Sequence, residues 1–225
     1  MNNQTESGGS PAPRSTSEVL CSNLSKGLHA AAQPLTILRA GLGIGLASPR
    51  NLDELLELTT SSYIEVERVC ALFDYLQQLV LIASVKPSLT TVPILPLIAD
   101  AAHGVYPLFE NDGLTLTSIM PDACAPVLID SVRTLRALSS VLLIVHGLSR
   151  ARDTVELIVS SSLPNSIRIV VRNLSLYLDA LSEEASLSMA LADANIRSQQ
   201  AAFSWSLQPF SVQIELQKEQ IAHCC

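Results

Sequence analysis

His29 stands in the stretch LHAAAQPLTILRAGLGIG, Leu28–Gly45, with a proline five residues after it and glycines at 41, 43 and 45. Three kinds of chemistry use such residues. A neutral imidazole nitrogen is a nucleophile near neutral pH, able to accept a phosphoryl group or bind a metal. A glycine-rich loop presents its amides to phosphate. A dinucleotide fingerprint must follow a strand and open a helix, whereas these glycines end a helical pattern and have leucines between them. They therefore read as helix-terminating, with close packing as the plainer alternative. The other histidines, His103, His146 and His223, are assigned structural or tail roles. Of the five cysteines, Cys224 and Cys225 follow His223 at the chain end, which is weak ground for a metal site. With no CxxC spacing, the cysteines are expected to be mainly buried, reduced thiols.

The elements that position His29 follow from spacing and punctuation. Leu20, Leu24, Leu28, Ala31, Leu35, Leu38 and Leu42 recur at steps of three and four, the seam of an amphipathic helix packed as in a bundle. SPRNLDELL then restarts a helix. Ser48 or Asn51 can cap it, Pro49 suits a first turn, and Asp53 and Glu54 favour the positive end of the dipole. Apolar residues from Leu52 to Ala83 continue the repeat, so residues 17–84 form an antiparallel helical hairpin. No third helix follows before the chain changes character. Pairing with a second copy into a four-helix bundle is the simplest burial, and a homodimer is expected.

Residues 1–16, rich in Ser, Gly, Pro and Asn, read as a disordered tail, and 220–225 as a second tail. The proline-rich VKPSLTTVPILPL places a linker at 85–96. Beyond it the pattern predicts a short strand near 89–92, a helix at about 94–109, strands at 113–119 and 126–129, and a helix at 131–150. Strands at 153–161 and 165–173, a helix at about 179–199, and strands at 201–207 and 210–217 complete it. The overall class is α+β: the hairpin, then an α/β domain at 97–219 with helices on one face of a mixed sheet.

Composition excludes other classes. With 14 basic and 21 acidic residues the net charge is −7, and no Lys/Arg cluster could track a phosphate backbone, so nucleic acid is not expected as a partner. The N-terminus has no basic n-region or apolar h-region. The longest unbroken apolar run, Val141–Val145, is far short of the roughly 18 residues of a membrane span. A cytoplasmic protein with no membrane partner is expected.

HAAAQPL, His29–Leu35, resembles the phospho-acceptor box in the dimerising domain of sensor histidine kinases, matching it at His29, Gln33, Pro34 and Leu35. Residues 17–219 then resemble the whole kinase core, a dimerisation and histidine-phosphotransfer hairpin joined to an ATPase-type sandwich. The resemblance implies that His29 accepts phosphate and that Gln33, Pro34 and Leu35 position it and dock the partner. Departures from the family are as informative. Ala30 replaces the acidic residue after the histidine. In SVLLIVHGLS, Ser140 and Ile144 stand where an asparagine should hold magnesium.

In VVRNLSLYL, Arg172 replaces the adenine-reading aspartate, and Leu174 and Leu176 replace glycines, so their side chains should fill the purine space. Ser188, Gln199, Gln200 and Ala201 replace lid glycines, and no glycine occurs after Gly147. These positions are expected to form a degenerate, non-binding nucleotide site with no cofactor and no metal. The implied function is that of an intermediate histidine phosphotransferase, a phosphorelay protein exchanging phosphate between His29 and the aspartate of a receiver domain, in a response regulator or hybrid kinase, without ATP. A non-catalytic pseudokinase scaffold that docks response regulators is the alternative, and an unorthodox sensor histidine kinase the third.

Overall fold

The computed structural model describes residues 16–47, 51–161 and 165–218. The expected tails, apart from Thr16, and Ser48, Pro49, His223, Cys224 and Cys225 lie outside the described residues. Two long helices open the fold, α1 (Thr16–Ala47) and α2 (Leu52–Ser84). Asn51 caps α2: its side chain accepts the Glu54 N–H at 2.9 Å and donates to the Glu54 carboxylate at 3.2 Å. That reciprocal pair satisfies a first-turn amide that the helix itself leaves unpaired.

The two helices pack as a hairpin along only part of the expected seam: Ala31 is buried and Leu24 and Leu38 are half-buried. The buried and half-buried positions of α1 are Leu24, Gly27, Ala30, Ala31, Pro34, Leu38, Gly41 and Gly45, most of them small. Leu28, Leu35 and Leu42 are exposed instead. The glycines lie inside α1 rather than ending it, and two of them explain why. A Cβ at Gly27 would lie 2.7 Å from Leu76 Cδ2, and one at Gly45 would collide with Leu58. Close approach of the backbones is what those positions require. Against the expectation of buried thiols, Cys70 is exposed on the outer face of α2, while Cys124, away from the hairpin, is half-buried against the core of the second part.

The second part begins earlier than the linker reading placed it. β1 (Thr90–Val92) pairs antiparallel with β3 (Val127–Ile129), and Ile94, at the start of α3 (Ile94–Asn111), is core. Only the residues before Thr90 serve as a connection. β2 (Thr115–Ile119), β4 (Thr154–Ser160), β5 (Ser166–Asn173), β6 (Ala202–Leu207) and β7 (Phe210–Gln217) form a five-stranded sheet in the order β2-β4-β5-β7-β6. Only the β2–β4 pair is parallel. The alternating residues Ile167, Ile169 and Val171 of β5 and Val212, Ile214 and Leu216 of β7 turn inward. They meet Ile98, Val105 and Phe109 of α3 and Leu138, Val141, Leu142 and Val145 of α4 (Ser131–Leu148) in one core.

Gly113, at φ +68°, turns the chain from α3 into β2, a conformation open to glycine without strain. α5 (Glu183–Arg197) lies along α4 and also reaches the hairpin. Leu187 joins Ala30, Tyr75, Leu76 and Leu79 in a second, smaller core there. Residues 27–47 and 131–148 are long and apolar enough to cross a membrane. In α4 that apolar character supplies the domain core, and in α1 it supplies the exposed leucine row.

Candidate functional site

His29 is exposed on α1, one position before the buried Ala30. The helix sets this contrast, since successive residues point about 100° apart. Ala30 is 3% exposed and packs with Tyr75, Leu76 and Leu187, so the position after the histidine faces an apolar cluster. An acidic base there would have to be buried. Gln33, four residues on and near His29 on the wheel, is exposed, Pro34 is buried against α2, and Leu35 is exposed. Pro34 lies inside the continuous helix and has no N–H to give the carbonyl of Ala30. His29 makes no hydrogen bond among the described residues, so both ring nitrogens are unengaged.

The second group of residues surrounds the junction of α4, α5 and the end of β5. Ile144 is buried and Ser140 half-buried beside a hollow of about 350 Å³ that Ala185 and Ser188 of α5 close from the other side. Leu176 is buried in the domain core. Leu174 is not: it is half exposed and fills nothing.

Arg172 also departs from the reading. It lies on the outer face of the sheet, where its guanidinium donates to Glu156 across the β4–β5 pair at 2.6 Å. Asn173, fully buried, is the residue that turns inward at the end of β5. Its amide donates to Ser149 Oγ at 2.8 Å and to Asp153 at 3.0 Å, and its oxygen accepts the Ser175 N–H at 2.9 Å. Together with the N–H of Arg150, Asn173 holds the Asp153 carboxyl below its ordinary pKa. The alternation of Ile167, Ile169 and Val171 on the inner face carries the signal: residue 173 shares their parity and residue 172 does not.

Where the lid glycines were expected, the chain is tied down. Ser188 lies within α5, Ala201 is nearly buried, and Gln200 adopts φ +63° in the turn that follows the helix. The buried Gln199 accepts the Asp130 N–H at 2.8 Å and donates to Thr134 Oγ1 at 2.9 Å, joining the end of α5 to the start of α4.

Beside it lies a residue that sequence reasoning missed. Arg133, 8% exposed, donates to the carbonyls of Ile82 and Val85 at the end of α2 and to Ser198 Oγ at 2.8 Å after α5. Asp130 balances its charge at 3.6 Å, caps α4 at the N–H of Arg133, and accepts the Ser88 N–H at 2.9 Å. One buried ion pair therefore joins the hairpin, α4 and α5. The only sequence hint was Asp130 in a capping position.

His146 is a helix-end residue, as expected. Its Nε2 lies 2.9 Å from Asp112 and its ring centroid 5.0 Å from that of Phe109, joining α4 to the end of α3.

No family model matches the chain, and no curated protein matches it. Solved structures do. The histidine kinase AdeS of Acinetobacter baumannii superposes with a TM-score of 0.62 at 14% identity, over 85% of this chain and 98% of that one. This chain has a histidine-kinase-like fold. A histidine kinase from Burkholderia phymatum aligns over 86% of this chain and 98% of its own, with a TM-score of 0.53 and 16% identity. ShkA, solved at full length in complex with AMPPNP, aligns over 86% of this chain at 14% identity and a TM-score of 0.56. This chain spans 45% of ShkA. In this histidine-kinase-like fold the hairpin comes first and the ATPase-type sandwich second, in the order the resemblance implied.

Proposed function

We propose that this chain is a cytoplasmic histidine phosphotransfer protein of two-component signalling that exchanges a phosphoryl group between His29 and a receiver aspartate and does not use ATP. The observation that carries this reading is an exposed imidazole, with no hydrogen bond among the described residues, on the first helix of a histidine-kinase-like hairpin. The absence of ATP use is supported by Ile144 and Leu176, buried apolar side chains at positions read as a degenerate nucleotide site, and by the Gln199 hydrogen bonds that tie down the segment read as its lid. Transfer from a phospho-receiver asks less of this chain than autophosphorylation. The receiver brings the acyl phosphate and its magnesium, and the His protein brings a positioned nucleophile. The unprotonated imidazole nitrogen of His29 bonds to phosphorus as the P–O bond breaks, the aspartate leaves as its carboxylate with the bonding pair, and the single N–H proton on the opposite ring nitrogen passes to solvent as the phosphoramidate forms.

The reading includes a homodimer. Leu28, Leu35 and Leu42 are exposed at seven-residue spacing on α1, and so are two such rows on α2, Val66, Phe73 and Val80 beside Leu56 and Tyr63. Rows at that spacing are the seam that helical bundles bury, and leaving them wet is unfavourable. A second copy covering them makes the four-helix bundle.

One observation favours the scaffold reading: Ala30 offers no base and faces an apolar cluster. Incubation with phosphorylated receivers in the absence of nucleotide separates the two. Transfer of label to this chain supports phosphotransfer; stable binding without transfer leaves a docking scaffold.

A further inference from the structure

α1, α2 and α5 enclose a cleft of about 780 Å³, a volume suited to a small organic ligand and lying at the kind of interface where such sites occur. Pro34, Ile37, Leu72 and Leu187 give it an apolar wall. Its charge is one-sided: Glu65, Glu67, Glu183 and Glu184 line it against Arg68, the one cation among its described lining residues. Arg68 donates to Glu65 Oε1 at 3.0 Å and comes no nearer than 3.8 Å to Glu184. The second carboxylate oxygen of Glu65, a residue 8% exposed, has no hydrogen-bond partner. The hydroxyl of Tyr75, 7% exposed on the same helix, has none either. Burial pushes the Tyr75 pKa up to about 12, so it remains a neutral hydroxyl. A buried carboxylate oxygen without a donor is costly, and such an orphan calls for a missing partner.

We propose that this cleft binds a small organic cation with an apolar body, an aliphatic amine being the simplest member of the class. The ammonium group donates to Glu65 within the acidic rim, and the hydrocarbon lies on Leu72, Leu187 and Pro34. Glu65 and Tyr75 are ten residues apart on α2, a rise of about 15 Å. An elongated ligand therefore runs from the acidic end toward the tyrosine hydroxyl. Ala30 and Gln33 also line the cleft, so the ligand sits against the helix that carries His29. The proposal does not depend on phosphoryl transfer, because binding is read directly.

Calorimetry of the intact protein with hexylamine, hexanol and hexanoate tests it. Hexylamine is expected to bind saturably, hexanol about tenfold more weakly for want of a charge-assisted hydrogen bond, and hexanoate not at all. Glu65→Gln, nearly isosteric, should bring hexylamine down to the level of hexanol. Glu184→Gln, at an exposed position that folding tolerates, should cost less than about fivefold. Circular dichroism confirms that each variant is folded. The proposal is overturned if hexylamine gives no saturable heat, which would leave the orphan oxygens to water. It is equally overturned if hexanol binds as tightly as hexylamine, or if folded Glu65→Gln binds hexylamine undiminished.

Discussion

Replacing Arg133 by methionine keeps an unbranched apolar stem in the same place and removes the guanidinium. Arg133 is 8% exposed and gives hydrogen bonds to Val85 O, Ser198 Oγ and, more weakly, Ile82 O, with Asp130 at 3.6 Å. Removing one member of a buried, hydrogen-bonded ion pair costs about 3–5 kcal/mol, because the partner charge and its acceptors stay buried. Asp130 retains two donors on its carboxylate, the backbone N–H groups of Arg133 and Ser88, and neither is touched by the side-chain change. The lower end of that range, about 3 kcal/mol, therefore fits best. For a chain of this size each kcal/mol lowers Tm by about 2–4 °C, so a fall of about 6–12 °C is expected. Arg133→Lys keeps the charge but cannot fork to three acceptors and should recover only part of the loss. Thermal and urea unfolding give the stabilities, and limited proteolysis reports on the connection at residues 85–89, which should be cut faster in Arg133→Met. A loss below about 1 kcal/mol would refute the view that this pair joins hairpin, α4 and α5.

Other predictions follow from single positions. Gly27→Ala should destabilise by about 1–3 kcal/mol through overpacking against Leu76, while Gly43→Ala, whose added methyl meets nothing within 4 Å, should stabilise by about 0.5–1 kcal/mol; thermal unfolding of the two reads the opposite signs. The folded-state pKa of Asp153 is lowered, so its contribution is present above the ordinary carboxylate pKa and lost as pH falls through the lower, folded value. Asp153→Asn should therefore flatten the loss of stability in that acid range, as followed by unfolding at stepped pH. Light scattering should find a dimer at micromolar concentration, and Phe73→Glu, on the exposed row of α2, should yield a folded monomer. Calorimetry with ATP and magnesium at millimolar concentration should show no saturable binding, and saturable, magnesium-dependent heat would revive the kinase reading.

Much of this fold is legible in the sequence because its strongest signals are local. Asn51 and the Asp53–Glu54 pair mark the start of α2, and the alternation in β4, β5 and β7 marks three strands whose inner faces fill the core. What the sequence hid is the choice between faces. Leu28, Leu35 and Leu42 share the apparent seam with Ala31 and Leu38, but only the last two turn inward, beside Gly27 and Gly45, and the other three leucines stay outside. Period alone does not say which of two apolar faces meets which partner. The same one-residue parity moved the inward position at the end of β5 from Arg172 to Asn173. Arg133 was illegible for a different reason: its acceptors lie in segments 48 to 65 residues away, and nothing local marks an arginine for burial.

The most direct measurement of the central claim uses a receiver carrying aspartyl phosphate, the intact protein, and no nucleotide. The account predicts an acid-labile, base-stable label on the wild type and none on His29→Ala, with the dimer retained because His29 is not one of the row of exposed leucines at 28, 35 and 42. His103→Ala and His146→Ala should remain labelled, and Gln33 or Leu35 variants should be labelled more slowly. Label that persists on His29→Ala, or a wild type that no receiver of the source cell can label, would contradict it.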